Sequence, residues 1–170
     1  MKKRQELLKD FLMKGNFNMV VKKKKVFLDA SIFVAAAGSA NGGSSLILKI
    51  CRGLCFSAVT TRKILLEAQI NIRKKLSSEA LLCFYKEIGD LNPVIIKPPS
   101  KEKLNQYDDI IALKDRHVLA AALESKSDFL ITLDRKHFKI EAIKRANLPI
   151  AILTPKEFLE LIKNEYNELS

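Results

Sequence analysis

Two acidic residues stand where apolar runs stop: Asp29 follows Val26-Phe27-Leu28, and Asp134 follows Phe129-Leu130-Ile131-Thr132-Leu133. If both runs are central strands of one parallel sheet, the two carboxylates reach the same edge, and such sheets bind ligands in the crevice beyond the carboxyl ends of their strands. Ordinary packing does not call for that pairing. Either residue alone reads equally well as the N-cap of a following helix. Two further acids read as helical. Asp115 opens the segment from Lys114 to Lys126, where a negative charge also suits the helix dipole without any further role. Glu67 stands among Ile64, Leu65, Leu66, Ala68 and Ile70. A carboxylate in apolar company is costly to bury unless it is paired or faces a cation, whereas one turned to water needs no explanation. Taken alone, Glu67 reads as surface. Only convergence of the four acids would make a site.

The elements that would bring them together alternate along the chain. The strand Val26-Phe27-Leu28 leads into a helix from Ala30 to Ala37, and a small-residue loop from Gly38 to Ser45 precedes a helix from Leu46 to Cys51. A strand from Phe56 to Val59 is followed by a helix from about Thr61 to Lys75 that carries Glu67. Ser77 and Glu79 open another helix, Val94 to Ile96 is a strand closed by Pro98 and Pro99, and Lys101 to Ile111 is predicted helical. Val118, Leu119, Ala122 and Leu123 recur at helical spacing behind Asp115. The strand from Phe129 to Leu133, a helix through Arg145, a strand from Ile150 to Leu153 and a helix after Pro155 complete the series. Strands that are nearly all apolar and alternate with helices predict a single three-layer α/β/α domain around a central, mostly parallel sheet. No repeat and no interdomain linker interrupts it.

At 170 residues the chain suits one domain, and 48% hydrophobic with 29% charged residues is a core-forming composition. No apolar run approaches the ~20 residues that span a bilayer, and the N-terminus lacks the apolar stretch of a signal peptide, so no membrane partner and a cytoplasmic location are expected. Cys51, Cys55 and Cys83 lack Cys-x-x-Cys spacing, and His117 and His137 are the only histidines, so reduced core thiols are expected.

The formal net charge of +11 points to a polyanionic partner, but most of it lies at one end. Through Lys25, nine Lys or Arg face Glu6 and Asp10, a balance of +7; the remainder carries 21 against 17, a balance of +4. The chain therefore divides into a basic N-terminal extension, residues 1–24, and a domain over residues 25–170. The run from Lys22 to Lys25 reads either as a nucleic-acid arm or as a solvated segment. Ahead of it, Leu7, Leu8, Phe11 and Leu12 at helical spacing, stopped by Gly15, Asn16 and Asn18, predict an N-terminal helical extension. Met19 leaves open whether residues 1–18 belong to the native protein.

Three segments resemble the PIN-domain nuclease family, its VapC-toxin-like members in particular. Val26-Phe27-Leu28-Asp29-Ala30-Ser31 is similar to the family's opening strand and Asp motif, and Lys114-Asp115-Arg116-His117-Val118-Leu119-Ala120-Ala121-Ala122-Leu123-Glu124-Ser125 to its third acidic segment. The most specific segment is Asp128-Phe129-Leu130-Ile131-Thr132-Leu133-Asp134-Arg135-Lys136-His137-Phe138, which resembles the closing strand, Thr-x-Asp turn and following aromatic residue. The resemblance runs from about Lys25 to the C-terminal helices and leaves residues 1–18 outside. Glu67 matches no more than a Glu on a helix.

This resemblance implies a divalent-metal-dependent endoribonuclease that hydrolyses phosphodiester bonds in RNA, with Asp29, Glu67, Asp115 and Asp134 as the catalytic and metal-binding cluster for Mg²⁺ or Mn²⁺. Asp29, Asp115 and Asp134 would be direct or water-mediated ligands, Glu67 would orient a water or a second ion, and Ser31 and Thr132 would support them from behind. A hard cation prefers carboxylate and water oxygens where Zn²⁺ would want His or Cys, so zinc is not expected. One ion, or two ~3.5–4 Å apart, both fit the implied chemistry. Lys114, Arg116, Arg135 and Lys136 would hold the RNA backbone, a solvated face being the alternative. Many relatives carry another acid just after the Thr-x-Asp turn, where this chain has Arg135, Lys136 and His137, a departure that weakens a second metal site. His137 would then contact phosphate or face solvent, and His117 reads as helix surface or as functional. Many small members are toxins of toxin–antitoxin pairs, so a protein antitoxin and a homodimer join RNA among the implied partners.

Other strand-end chemistries fit less well. A HAD-type phosphatase needs a second Asp two residues after the first, and Asp29 is followed by Ala30 and Ser31. Gly42-Gly43-Ser44-Ser45 lacks the lysine of a P-loop, and no Rossmann glycine fingerprint follows the first strand. The alternative of another class is a non-catalytic RNA- or protein-binding module with the same fold, against which the intact acids argue.

Overall fold

The computed structural model describes residues 23–138 and 141–168. The helix expected within residues 1–18 lies outside them. Successive side chains of a strand point to opposite faces, so a continuous apolar run is stable only where both faces are covered. Val26, Phe27 and Leu28 meet that condition with no solvent exposure at all. They form β1 (Lys24–Leu28), followed by α1 (Ala30–Gly38), α2 (Gly43–Cys51), β2 (Phe56–Thr61), α3 (Arg62–Lys75) and α4 (Ser78–Leu91). The second half of the chain forms β3 (Val94–Ile96), α5 (Lys101–Asn105), α6 (Arg116–Glu124), β4 (Phe129–Ile131), α7 (Arg135–Phe138), α8 (Glu141–Arg145), β5 (Ala151–Leu153) and α9 (Pro155–Glu168).

The five strands form one sheet in the order β3-β2-β1-β4-β5, with every pair parallel. Helices flank this sheet in the three-layer α/β/α arrangement expected from the sequence. In it α1 packs on α2, α3 and α4, while α6 packs on β2 and β4. The last helix, α9, packs on α2 and β5, and its fully buried Phe158 meets Phe56 and Phe129 edge-on at 5.6 and 5.2 Å. From β1 the chain builds outward through β2 to β3, then returns to the other side of β1 for β4 and β5. The reversal falls between β1 and β4, so the crevice beyond their carboxyl ends is the switch point at which such sheets take ligands. Leu28 and Ile131 are register partners there.

Several boundaries differ from the sequence reading. The second helix starts at Gly43, within the stretch expected to be a loop, because Ser44 and Ser45 are buried and extend its inner face. Strand β2 continues to Thr61: the Thr60 hydroxyl donates to Leu28 O at 3.1 Å, which satisfies a polar group inside the sheet, and Thr61 caps α3 through Ile64 N. The helix expected to reach Ile111 stops at Asn105, and the turns after it are tied by Arg116, whose guanidinium donates to Ile111 O and pairs with Asp108. Strand β4 ends its register with β1 at Ile131; Thr132 N still donates to Leu153 O at 3.1 Å, and the turn carrying Asp134 begins at Leu133. The helix expected through Arg145 is two short helices, α7 and α8.

Cys51 is a core thiol, pushed up to about 12 by burial, but Cys55 is half-buried and Cys83 exposed, so the expectation of core thiols holds for Cys51 alone. Among the described residues no single helix is long and apolar enough to cross a membrane; the most apolar pair, α1 and α2, is bent by 111° and its large side chains are buried in the domain.

Candidate metal centre

Asp29 is the first residue beyond β1 and the N-cap of α1. Its Oδ1 accepts a hydrogen bond from Ala30 N at 2.7 Å, and its Oδ2 accepts from the hydroxyls of Ser31 and Thr132, each at 2.7 Å. Each hydroxyl in turn accepts from an amide of the turn after β4: Leu133 N donates to Ser31 Oγ at 3.1 Å and Asp134 N to Thr132 Oγ1 at 3.0 Å. A carboxylate offers about four acceptor positions, and three are filled here. Asp29 is therefore both the helix cap and the strand-end acid, and it fixes the turn that presents Asp134.

Asp134 caps α7. Its Oδ1 accepts from His137 N at 3.1 Å, and its Oδ2 lies 2.6 Å from His137 Nδ1. Asp115 occupies the N-cap position of α6 but makes no side-chain capping bond, so a helix-start role explains its position and not its carboxylate. Its Oδ2 is buried without a hydrogen-bond partner, 3.9 Å from His137 Nδ1 and 4.0 Å from Lys114 Nζ. Glu67, midway along α3, is half-exposed, and its Oε2 stands 3.8 Å from the buried Nε2 of His117, which also lacks a hydrogen-bond partner.

These four acids line one cavity of about 190 Å³, together with Ser31, Asn71, Lys75 and His117. Two of its acids, Asp115 and Asp134, and the neighbouring His137 offer donor atoms that all lie within 4.8 Å of one another. Burial pushes the Asp115 carboxyl above the usual carboxylate range, and the neighbouring Asp134 and Asp29 add to this against the opposing charges of Lys114 and His137. Glu67 is raised in the same way, by burial first and then by Asp29 and Asp115. Asp134 goes the other way: burial is outweighed by the hydrogen bonds and charge of His137, which hold it below its ordinary value. Burial, then Lys63, lowers His117. An unsatisfied buried carboxylate oxygen among further acids is a donor set that suits a divalent cation.

The other expected contacts divide. Ser31 and Thr132 support Asp29 directly. Lys114 is mostly exposed beside Asp115, whereas Arg116 is 16% exposed and engaged with Asp108 and the preceding turns. Arg135 and Lys136 are exposed, and Arg135 lines a separate groove of about 620 Å³ with Leu133, Lys156 and Lys163. His137 is turned onto Asp134 within the acidic cluster. Asn71 and Lys75 were not expected at the site. Their signal was spacing: Lys63, Glu67, Asn71 and Lys75 recur every four residues along one face of α3.

Two substitutions should act on stability in opposite directions. Thr132→Val removes the relay between Asp29 and Asp134 N, and should lower unfolding stability by about 1–3 kcal/mol in denaturant titrations; an unchanged midpoint would mean that water replaces the hydroxyl. For Asp115 the raised pKa means that the fold favours the protonated acid. The ionised form thus costs stability above both the unfolded and folded values, and the cost disappears as pH falls through the folded one. Asp115→Asn, assayed without divalent ions, should therefore raise Tm at neutral pH, with the gain shrinking as the acid titrates. A lower Tm would show that Lys114 and His137 outweigh burial.

No family model matches the chain. Over 58 residues it is 41% identical to a Mycobacterium tuberculosis protein named "Putative ribonuclease VapC50", a stretch covering 31% of this chain and 33% of that relative. The likeness therefore spans about a third of the curated relative it matches.

Proposed function

We propose that the chain is a divalent-metal-dependent ribonuclease of the PIN type, hydrolysing phosphodiester bonds in RNA at the acidic cavity beyond β1 and β4. One observation carries this reading: four carboxylates from four separate elements line a single cavity at the sheet's switch point, and Asp115 Oδ2 is buried there with no hydrogen-bond donor. The likeness to a relative named as a ribonuclease supports the choice of reaction, and the motif resemblance extends the proposal to the toxin of a toxin–antitoxin pair, with an antitoxin covering the cavity.

Asp29, Asp115, Asp134 and Glu67 are the residues to hold Mg²⁺ or Mn²⁺. Such an ion, when bound, offsets charge on the scissile phosphate and makes water a better nucleophile at neutral pH. Glu67, half-exposed and with a raised pKa, accepts the proton of the attacking water at a carboxylate oxygen. Lys75, on the cavity wall, and Lys114, at its rim, attract and orient the phosphate. Asp29 keeps the Asp134 turn in register with β1.

Purified full-length protein should cleave single-stranded or looped RNA in Mg²⁺ or Mn²⁺ and lose activity in EDTA. Asp29→Asn and Asp134→Asn should each lower cleavage by more than about a hundredfold while circular dichroism shows a folded chain. Undiminished cleavage by folded variants would sink the assignment, and calorimetry showing no metal binding would favour a non-catalytic binding module. The basic arm is proposed to add phosphate contacts to RNA affinity. Removing residues 1–22, which leaves β1 whole, should flatten the dependence of log K on log salt; an identical slope would assign the arm no role in binding.

A further inference from the structure

His137 has no assigned part in the proposed hydrolysis, yet its ring sits among the acids. The reason is local. Asp134 caps the single turn of α7 through His137 N, and the three-residue spacing folds the imidazole back over the capping carboxylate. Nδ1 consequently lies 2.6 Å from Asp134 Oδ2 and 3.9 Å from Asp115 Oδ2, and the ring is three-quarters buried. Two donors held about 2.1 Å from an octahedral ion stand roughly 3 Å apart, so ligation would release the proton shared by His137 Nδ1 and Asp134 Oδ2, part that pair by a few tenths of an ångström and draw Asp115 Oδ2 closer. Asp115 Oδ2, the third member of the group, is the buried oxygen without a hydrogen-bond partner.

We propose that His137 Nδ1 is a ligand of this centre and that this nitrogen makes the site select Mn²⁺ over Mg²⁺. The inference rests on the metal-site reading above and adds to it a ligand and a preference. Carboxylates serve both ions. Mg²⁺ takes oxygen ligands and keeps its waters; Mn²⁺ also favours oxygen and stands lowest of the first-row divalent ions at a nitrogen-containing site, yet as a first-row ion it gains more from an imidazole than Mg²⁺ does. Discrimination between the two ions should therefore be carried by the one nitrogen in the group.

The test is calorimetry of the full chain with MnCl₂ or MgCl₂ alone, on wild type, His137→Ala and His137→Asp, together with pulsed electron paramagnetic resonance of the Mn²⁺-loaded protein. Wild type should bind Mn²⁺ about tenfold more tightly than Mg²⁺ and show ¹⁴N coupling to the manganese. His137→Ala should lose the coupling and most of the Mn²⁺ advantage with little change in Mg²⁺ affinity, and His137→Asp, which supplies oxygen, should bring the two affinities together. Absence of ¹⁴N coupling in wild type, or an equal loss for both ions in His137→Ala, would overturn nitrogen ligation while leaving the acidic centre standing. Failure of wild type to bind either ion would remove the centre and the proposed function with it. Should His137→Ala not fold, the wild-type spectrum alone decides.

Discussion

The Asp29 carboxylate is the constraint on which the rest of this molecule depends. It ends the central strand, starts the first helix and, through the hydroxyls of Ser31 and Thr132, holds the backbone amides of Leu133 and Asp134. A buried charge is tolerated only where its acceptor positions are filled. Here the groups that fill them belong to the elements that must be aligned for the second strand-end acid to reach the same crevice. Satisfying one charge and assembling the site are thus one physical event.

The four acids are not treated alike. Asp29 and Asp134 receive hydrogen bonds, whereas Asp115 is left with a bare buried oxygen and Glu67 is half-exposed beside His117, whose Nε2 has no hydrogen-bond partner. Burial first, and then repulsion from the neighbouring acids, raises Asp115 and Glu67, while Asp134 is lowered through His137. The fold thereby holds two acids as rigid framework and leaves one buried carboxylate oxygen, on Asp115, without a donor, which is costly in a structural core. Lys63 and Lys114 partly offset this charge.

Much of this was legible in the residues. The apolar runs before Asp29 and Asp134 are unambiguous because a strand covered on both faces tolerates no polar interruption except one, such as Thr60, that finds a backbone partner. Asp115 was legible as a helix start, since local charge and spacing are enough for that. Glu67 was not separable from a surface residue, because its neighbours in sequence say nothing about which face of α3 meets the cavity. The one-turn α7, the early end of α5 and the diversion of Arg116 onto Asp108 were illegible for the same reason: each is settled by contacts outside its own segment.

The sequence by itself determined the alternation of strands and helices, the parallel sheet and the position of an acid at the end of each of two strands, because burial patterns and capping act over a few residues. Strand order was decided only in the tertiary structure. Placing β4 beside β1 brings Thr132 to Asp29 across 103 positions of chain, gathers Asp115 and Glu67 from two helices onto one cavity and turns His137, expected to contact phosphate or face solvent, into a neighbour of the acids. No local pattern contains that information, since which strands become neighbours follows from how the whole sheet and its helices bury their apolar faces together. Asp29 was readable as a capping acid from its own segment, but that it also holds the turn after β4 emerged only when the sheet closed around it.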